Sequence, residues 1–149
     1  MKKFDKFKWC CKQKNGISLV EQNINLSEEY IKRADESLEA MLLNKGSWKI
    51  ITAYYACYNA LYSILMAAGI KSEIHECSIE LMRLIKGFDK RDILFLKNLK
   101  KDRIDVQYYL KKKELKDENQ IKDFVLKCKM IVKSVDVAVL REKLKEVME

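Results

Sequence analysis

The side chains that could do metal or nucleophilic chemistry are one histidine and a few cysteines. Because His75 is the single histidine, a zinc site built from several histidines cannot form within one chain. Cys10, Cys11 and Cys77 could join His75 in a thiolate and imidazole site, but their spacings are not those of a zinc finger or ribbon. A Cys/His nucleophilic pair would need a third orienting group, which the sequence does not supply. We therefore predict no bound metal and no cofactor.

A second group consists of tyrosines in one apolar stretch. Tyrosines at positions 54, 55, 58 and 62 occupy more than one face of a helix. Some phenols must therefore point toward neighbouring helices, where a buried hydroxyl needs a hydrogen-bond partner. We predict a structural polar cluster formed by Tyr54, Tyr55, His75 and Tyr108.

The third group lies farther along the chain, around Arg103. On a helix, Arg103 lies one turn before Gln107 and Tyr108, so a guanidinium, an amide and a phenol share one surface. This surface could hold a phosphate, or it could bury its polar ends against tyrosines of a neighbouring helix, and we favour the structural role. If the site is catalytic, its candidate residues are Arg103, Gln107 and Tyr108.

Positive charge is concentrated near these residues. The 149-residue chain carries 30 Lys and Arg against 22 Asp and Glu, a formal net charge of +8, and residues 86–116 contain eleven basic and five acidic side chains. Clustered lysines are typical of phosphate-binding surfaces, but an acidic protein partner or a solvated helix face would fit as well. The four glycines are isolated, which excludes a P-loop or dinucleotide fingerprint. The candidate residues for nucleic-acid or nucleotide binding are Lys97, Lys100, Lys101 and Arg103.

Helical periodicity must position all these groups, and it predicts an all-α fold. An apolar content of 48%, four glycines and no proline exclude disordered and collagen-like chains. We expect one domain, 1–149, made of a basic lead, 1–25, and a helical bundle, 26–149. The longest charge-free run, 50–70, contains four tyrosines, so we interpret it as a buried helix rather than a membrane span.

Start and stop signals divide the bundle into five helices. We expect Ser27 and Ser47 to cap the first two, because a serine side chain accepts hydrogen bonds from free backbone amides at a helix start. The predicted helices span about 28–45, 48–68, 75–86, 89–110 and 119–148, with a charged connection over 111–118. The last helix is longer than a compact bundle of this size requires, so its end should project, cap a neighbour or pack in a dimer.

The N-terminal lead has no continuous apolar stretch and no small-residue cleavage site, so it does not resemble a secretory signal. We expect a cytoplasmic protein with no membrane contact. In a reducing compartment the odd number of cysteines favours free thiols at Cys10, Cys11, Cys57, Cys77 and Cys128.

An ordered set of features runs through the chain and resembles the HEPN family (higher eukaryotes and prokaryotes nucleotide-binding), especially its small stand-alone prokaryotic and archaeal members. The set consists of Tyr30-Ile31-Lys32-Arg33-Ala34, Ala53-Tyr54-Tyr55-Ala56, Gly69-Ile70-Lys71 with His75, Arg103-Ile104-Asp105-Val106-Gln107-Tyr108 and a long last helix. The resemblance covers about 26–139. It implies an up-and-down bundle of four or five helices with a long C-terminal helix, usually homodimeric and often encoded beside a minimal nucleotidyltransferase.

Many HEPN members are ribonuclease toxins whose active site has an arginine followed four to six residues later by a histidine. Arg103 matches the arginine, whereas Gln107, Tyr108 and Tyr109 occupy the histidine positions. Neither glutamine nor an ordinary phenol exchanges a proton near neutral pH, so the usual cleavage route lacks its proton carrier. In some members a tyrosine farther along accepts a nucleotide, and the matching position here is Leu110.

From this resemblance we predict a dimeric interaction partner, of a nucleotidyltransferase in a toxin–antitoxin or defence-type module, without the family's ribonuclease site. Two alternatives remain. The protein could be a divergent metal-independent ribonuclease, or it could bind RNA or a nucleotide through Arg103 and the neighbouring lysines.

Overall fold

The structure is a computed structural model that describes residues 3–149, with side chains from residue 5 onward. Met1 and Lys2 of the predicted lead lie outside the described residues. The described chain forms seven α-helices: α1 (Lys3–Lys12), α2 (Ile24–Leu43), α3 (Gly46–Ala68), α4 (His75–Glu80), α5 (Lys90–Tyr108), α6 (Glu118–Ser134) and α7 (Val137–Met148). The all-α prediction is confirmed, but the helices outnumber the four or five that we expected.

Two short elements complete the fold. A 3₁₀ helix, Leu81–Leu84, follows α4 directly, so the predicted third helix tightens halfway along. Strands β1 (Ser18–Leu19) and β2 (Ile70–Lys71) pair antiparallel, with Ser18 opposite Lys71 and Leu19 opposite Ile70. Two-residue strands are too short to produce an alternating pattern in the sequence.

Helix α3 is the centre of the bundle. Sixteen of its residues are buried, and it packs against α2, α5, α6 and α7. By length and composition α3 could cross a membrane, but 83% of its apolar window is buried within the fold, and a buried core helix meets the same criteria. Helix α3 ends at Gly69, as predicted, and Gly69 adopts a left-handed φ of 71°.

The predicted long C-terminal helix is wrong, because it is divided into α6 and α7. Val135 is extended, and the Asp136 carboxylate then accepts a hydrogen bond from the Val139 amide at 3.1 Å. Aspartate is a good N-cap and a poor residue in a helix interior, so it begins a new helix here.

Two predicted caps are also wrong. Helix α2 begins one turn earlier than expected, with the Asn23 side chain accepting from the Leu26 amide at 2.9 Å. Ser27 is instead buried and donates its hydroxyl proton to the Ser63 carbonyl at 2.7 Å, which joins α2 to α3. Helix α3 begins at Gly46, before the predicted Ser47 cap. Helix α5 does begin after Asp89, through a reciprocal capping box with Asp92.

The predicted basic lead contains α1, which is part of the core. Phe7 and Cys10 are fully buried, and α1 packs against α4 and α7. Cys10 and Cys77 form a disulfide between α1 and α4. The prediction of five free thiols is therefore wrong for this pair, whereas Cys11, Cys57 and Cys128 are free. The two cysteines are separated by 67 positions and meet through tertiary packing, which sequence spacing cannot show.

Candidate functional site

The candidate site is built on a row of tyrosines along α3. Tyr54, Tyr58 and Tyr62 follow each other at four-residue intervals, so their side chains lie along one helix face. Their rings stack with centroids 5.8 Å and 5.9 Å apart. Tyr55 points to the adjoining face and meets the Tyr54 ring edge to face at 5.4 Å. The row gives the site a flat aromatic wall.

His75, the first residue of α4, lies against this wall. Its ring stacks on Tyr58 with centroids 3.9 Å apart, and its Nδ1 lies 2.7 Å from the Tyr54 hydroxyl oxygen. One turn later on α4, the Ser78 hydroxyl lies 2.9 Å from that of Tyr58. The structure brings together Tyr54, Tyr55 and His75 of the four residues predicted to form a cluster, and α4 supplies hydrogen-bond partners for Tyr54 and Tyr58.

Arg103 reaches the same tyrosines from α5. Its guanidinium carbon lies 4.7 Å from the ring centre of Tyr54, 5.6 Å from that of Tyr55 and 5.9 Å from that of Tyr108. Aromatic faces attract a cation at these distances. We refer to Tyr54, Tyr55, Tyr58, His75, Arg103 and Tyr108 as the Arg103 cluster. The tyrosine group and the Arg103 group therefore form one site, in which Arg103 packs against tyrosines of a neighbouring helix.

The hydrogen bonding of Arg103 is incomplete. The side chain is only 6% exposed, and its Nε has no hydrogen-bond partner. Gln107 Oε1 lies at a long 3.4 Å from Nη1. Among the residues that the structure describes, no carboxylate forms a salt bridge with Arg103. A buried guanidinium is usually paired, so the site has a spare charge and a spare N–H donor.

The surroundings keep the aromatic groups uncharged at neutral pH. Burial, with help from the nearby charges of Arg103 and Lys100, lowers the pKa of His75 from 6.5 to about 4. Burial raises the pKa of the Tyr54 and Tyr58 phenols well above their usual value. A phenol that keeps its proton can donate it, and His75 Nδ1 is the acceptor within reach of Tyr54. We adopt this direction for the site, and in it His75 Nε2 is an N–H donor.

The candidate lysines line a neighbouring cavity of about 370 Å³. Lys97, Lys100 and Lys101 border it together with Glu76, whereas Arg103 does not. Lys97 is paired with Glu80 at 2.8 Å and Lys101 with Asp105 at 3.1 Å. Lys100 has no salt bridge among the described residues, and burial lowers its pKa. The structure therefore distinguishes Lys100 from the rest of the predicted basic group, because Lys97 and Lys101 have carboxylate partners, although each of those carboxylates also pairs with another cation.

A second, shallower cavity of about 570 Å³ borders the cluster at Tyr55 and Gln107, and Trp48 and Arg33 line its far side. Trp48 is 64% exposed and Tyr108 is 65% exposed. A third cavity, of about 690 Å³, lies among the residues of α6, α7 and the loop after the 3₁₀ helix and contains no cluster residue. Of the predicted site residues, Tyr108 therefore forms the accessible edge of the cluster, and Gln107 lies next to the cluster in the wall of the second cavity.

The sequence identified most of these residues and predicted a cluster of Tyr54, Tyr55, His75 and Tyr108, but it did not show that His75 and Arg103 would share it. The four-residue spacing of Tyr54 and Tyr58 was a signal for one shared face. Nothing in the spacing signalled that His75 and Arg103 would meet at Tyr54, because they lie on different helices. The disulfide also excludes Cys10 and Cys77 as thiolate ligands in this state, so the metal site weighed for His75 loses two of its ligands.

No protein-family model matches this chain, and no curated protein is significantly similar to it. The HEPN resemblance therefore stays a prediction, and the site must be interpreted from its own geometry.

Proposed function

We propose that this protein is a HEPN-like recognition module that binds a phosphate group of RNA or a nucleotide at Arg103 and does not cleave it. The observation that carries the proposal is the buried Arg103 guanidinium, which has a free N–H and no carboxylate partner among the described residues. A buried cation left without an anion is costly, and a phosphate bound beside the guanidinium would supply the missing negative charge.

The other groups around Arg103 favour the same class of ligand. With the proton of Tyr54 directed to His75 Nδ1, the remaining ring nitrogen is a donor. Lys100 adds a positive charge close enough to lower the pKa of His75. Arginine, lysine and this form of histidine all donate, and a phosphate oxygen accepts. The exposed rings of Trp48 and Tyr108 offer surfaces on which bases could stack.

Cleavage is disfavoured because no group is ready to take a proton from a ribose hydroxyl. In the assigned form, His75 Nδ1 accepts from Tyr54 and Nε2 already carries a proton. Burial keeps the Tyr54 phenol protonated at neutral pH. The divergent ribonuclease that the sequence left open would need the opposite arrangement, in which His75 Nε2 is a base. Arg103-dependent cleavage would favour that alternative.

Binding can be measured by fluorescence anisotropy with a labelled single-stranded RNA at low and moderate salt. We expect Arg103→Gln to weaken binding at least tenfold, because the buried charge is lost while a polar side chain of similar length remains. Arg91→Gln is the matched control, since Arg91 is an exposed arginine on the same helix, and it should change affinity less than threefold. Equal losses in the two variants would contradict a specific site at Arg103.

We further propose that the chain acts as a cytoplasmic homodimer and as the partner of a nucleotidyltransferase in a toxin–antitoxin or defence-type module. Four exposed apolar side chains support this interaction role, and we refer to them as the interaction surface: Trp48, Tyr108, Tyr109 and Leu110. Leu110 is 82% exposed and has a left-handed φ of 55°, an uncommon conformation for leucine. Co-purification with the product of an adjacent nucleotidyltransferase reading frame tests the partnership. If both proteins are produced together and do not co-purify, the partnership is contradicted.

A further inference from the structure

The disulfide and the Arg103 cluster meet on α4. Cys77 lies two residues after His75 and one residue before Ser78, and these two neighbours are the polar partners of Tyr54 and Tyr58. Helix α4 has only six residues. A covalent bond at its third residue therefore holds the element that places His75 on the tyrosines.

At its other end the disulfide holds α1. Lys6 on α1 forms an ion pair with Glu76 on α4, but such a partly exposed pair contributes little stability. Among the α1 side chains that the structure describes, Phe7 and Cys10 are fully buried. The Cys10–Cys77 bond is thus the strongest single connection between α1 and α4. Cys11, which follows Cys10 on α1, is a partly buried free thiol.

We propose that the Cys10–Cys77 disulfide is a redox clip that keeps α4 and His75 in the binding-competent arrangement, and that its reduction weakens phosphate binding at Arg103. A dithiol reductant supplies two electrons and two protons, so that both cysteines become thiols while the reductant closes its own disulfide. A disulfide oxidant reverses the exchange. Disulfides in a reducing compartment are usually transient and regulatory, which suits the expected cytoplasmic location.

The effect on binding rests on the proposed function, whereas the effect on His75 does not. His75 is the single histidine, so its imidazole gives one set of NMR signals. Protein purified without reductant should show three thiols to an alkylating reagent under denaturing conditions, and five after treatment with dithiothreitol. We expect reduction to shift the imidazole signals and to lower the affinity for labelled RNA at least fivefold.

Two variants make the test specific. Cys10→Ala combined with Cys77→Ala should reproduce the reduced protein in both measurements, even without reductant. Cys11→Ser is the matched control, because it removes a neighbouring thiol without touching the bond, and it should behave as the oxidised protein.

Several results would overturn the clip. One is the finding of five free thiols in protein that was never reduced, and another is an imidazole spectrum that reduction leaves unchanged. A general loss of helical circular dichroism on reduction would also contradict it, because the bond would then hold the whole fold rather than α4. If neither form binds RNA, the proposed function fails, and the His75 signals still decide whether reduction releases α4.

Discussion

Arg103 is the residue on which the proposed phosphate binding depends. Three tyrosine rings surround its guanidinium, and a desolvated contact between a cation and an aromatic face contributes about 2 kcal/mol. That attraction offsets only part of the cost of removing the charge from water. An anionic ligand would supply the remaining stabilisation, which is why we place phosphate here rather than at the lysines that already have carboxylate partners.

His75 gives a pH-dependent prediction. Its pKa of about 4 in the folded protein lies below the ordinary value of 6.5, so the fold favours the neutral ring. The resulting stabilisation is complete above pH 6.5 and is lost as the pH falls toward 4, because the unfolded chain takes up a proton that the folded chain refuses. We expect the free energy of unfolding to fall by less than about 1.4 kcal/mol per pH unit, since the ring is partly solvated.

Urea unfolding of the wild type and His75→Asn at several pH values between 4 and 7 measures this contribution. Asparagine keeps an acceptor near the position of Nδ1 but does not titrate, so the variant should show a shallower decline. Carboxylates that titrate in the same range affect both proteins equally and cancel in the difference. Parallel profiles would show that His75 contributes no pH dependence.

The sequence predicted a cluster of Tyr54, Tyr55, His75 and Tyr108, but it did not show that His75 would approach Arg103. Tyr54, Tyr55, Arg103 and Gln107 were all candidates, and helical spacing correctly grouped neighbours within one helix. The residues that follow Arg103 on its own helix include no histidine, which predicted that no imidazole would lie near the guanidinium. His75 comes earlier in the chain and approaches through the packing of α4 on α3, which periodicity within one element cannot reveal.

Among the elements, α7 has a role that its position at the end of the chain did not suggest. Arg141 on α7 donates from Nη1 to the carbonyl oxygens of Val20, Ala68 and Gly69 at 2.8–2.9 Å. The last carbonyls of a helix have no partner within the helix, so Arg141 satisfies the end of α3 and ties it to the loop after β1.

Arg141→Ala should therefore lower the free energy of unfolding by about 2–3 kcal/mol, the range for hydrogen bonds made by a charged group. Lys143→Ala is the control, because Lys143 is an exposed cation on the same helix and its loss should cost less than about 0.5 kcal/mol. Denaturant unfolding followed by circular dichroism measures both. If both variants lower the free energy of unfolding by similarly small amounts, water replaces the Arg141 hydrogen bonds without loss of stability.

Element boundaries were predictable where a local chemical signal was strong. Asp89 and Gly69 mark the start of α5 and the end of α3, as expected. The break between α6 and α7 was missed because Ile131, Val135 and Val139 continue an apolar helical spacing through it. A pattern of buried residues does not show whether the backbone stays helical. The chain divides into two helices because Asp136 caps the start of α7.

For the whole molecule, composition and periodicity were sufficient to predict an all-α fold with α3 at its centre. They could not predict that α1 belongs to the core, because its many lysines obscure the few buried positions. Nor could they predict the disulfide, which depends on how α1 and α4 meet. Long-range packing determined both features.

The proposed homodimer gives a prediction at this scale. Sedimentation at micromolar concentration should give about twice the 17.6 kDa monomer mass. Leu110→Gly should shift the protein toward monomer, because it removes an exposed side chain from the interaction surface, and glycine tolerates the left-handed φ of 55°. Leu94→Ala, an exposed leucine outside that surface, is the control. A wild-type monomer would contradict the dimer.

Recognition without cleavage is tested most directly by the fate of RNA bound to the pure protein. A 5′-labelled single-stranded RNA is incubated with saturating wild type or Arg103→Gln in the presence of a chelator, and the RNA is then resolved on a denaturing gel. We predict RNA of full length in both samples, even at protein concentrations at which anisotropy shows the wild type to be saturated. Shortened RNA produced by the wild type and absent with Arg103→Gln would contradict recognition without cleavage and show that this site cuts.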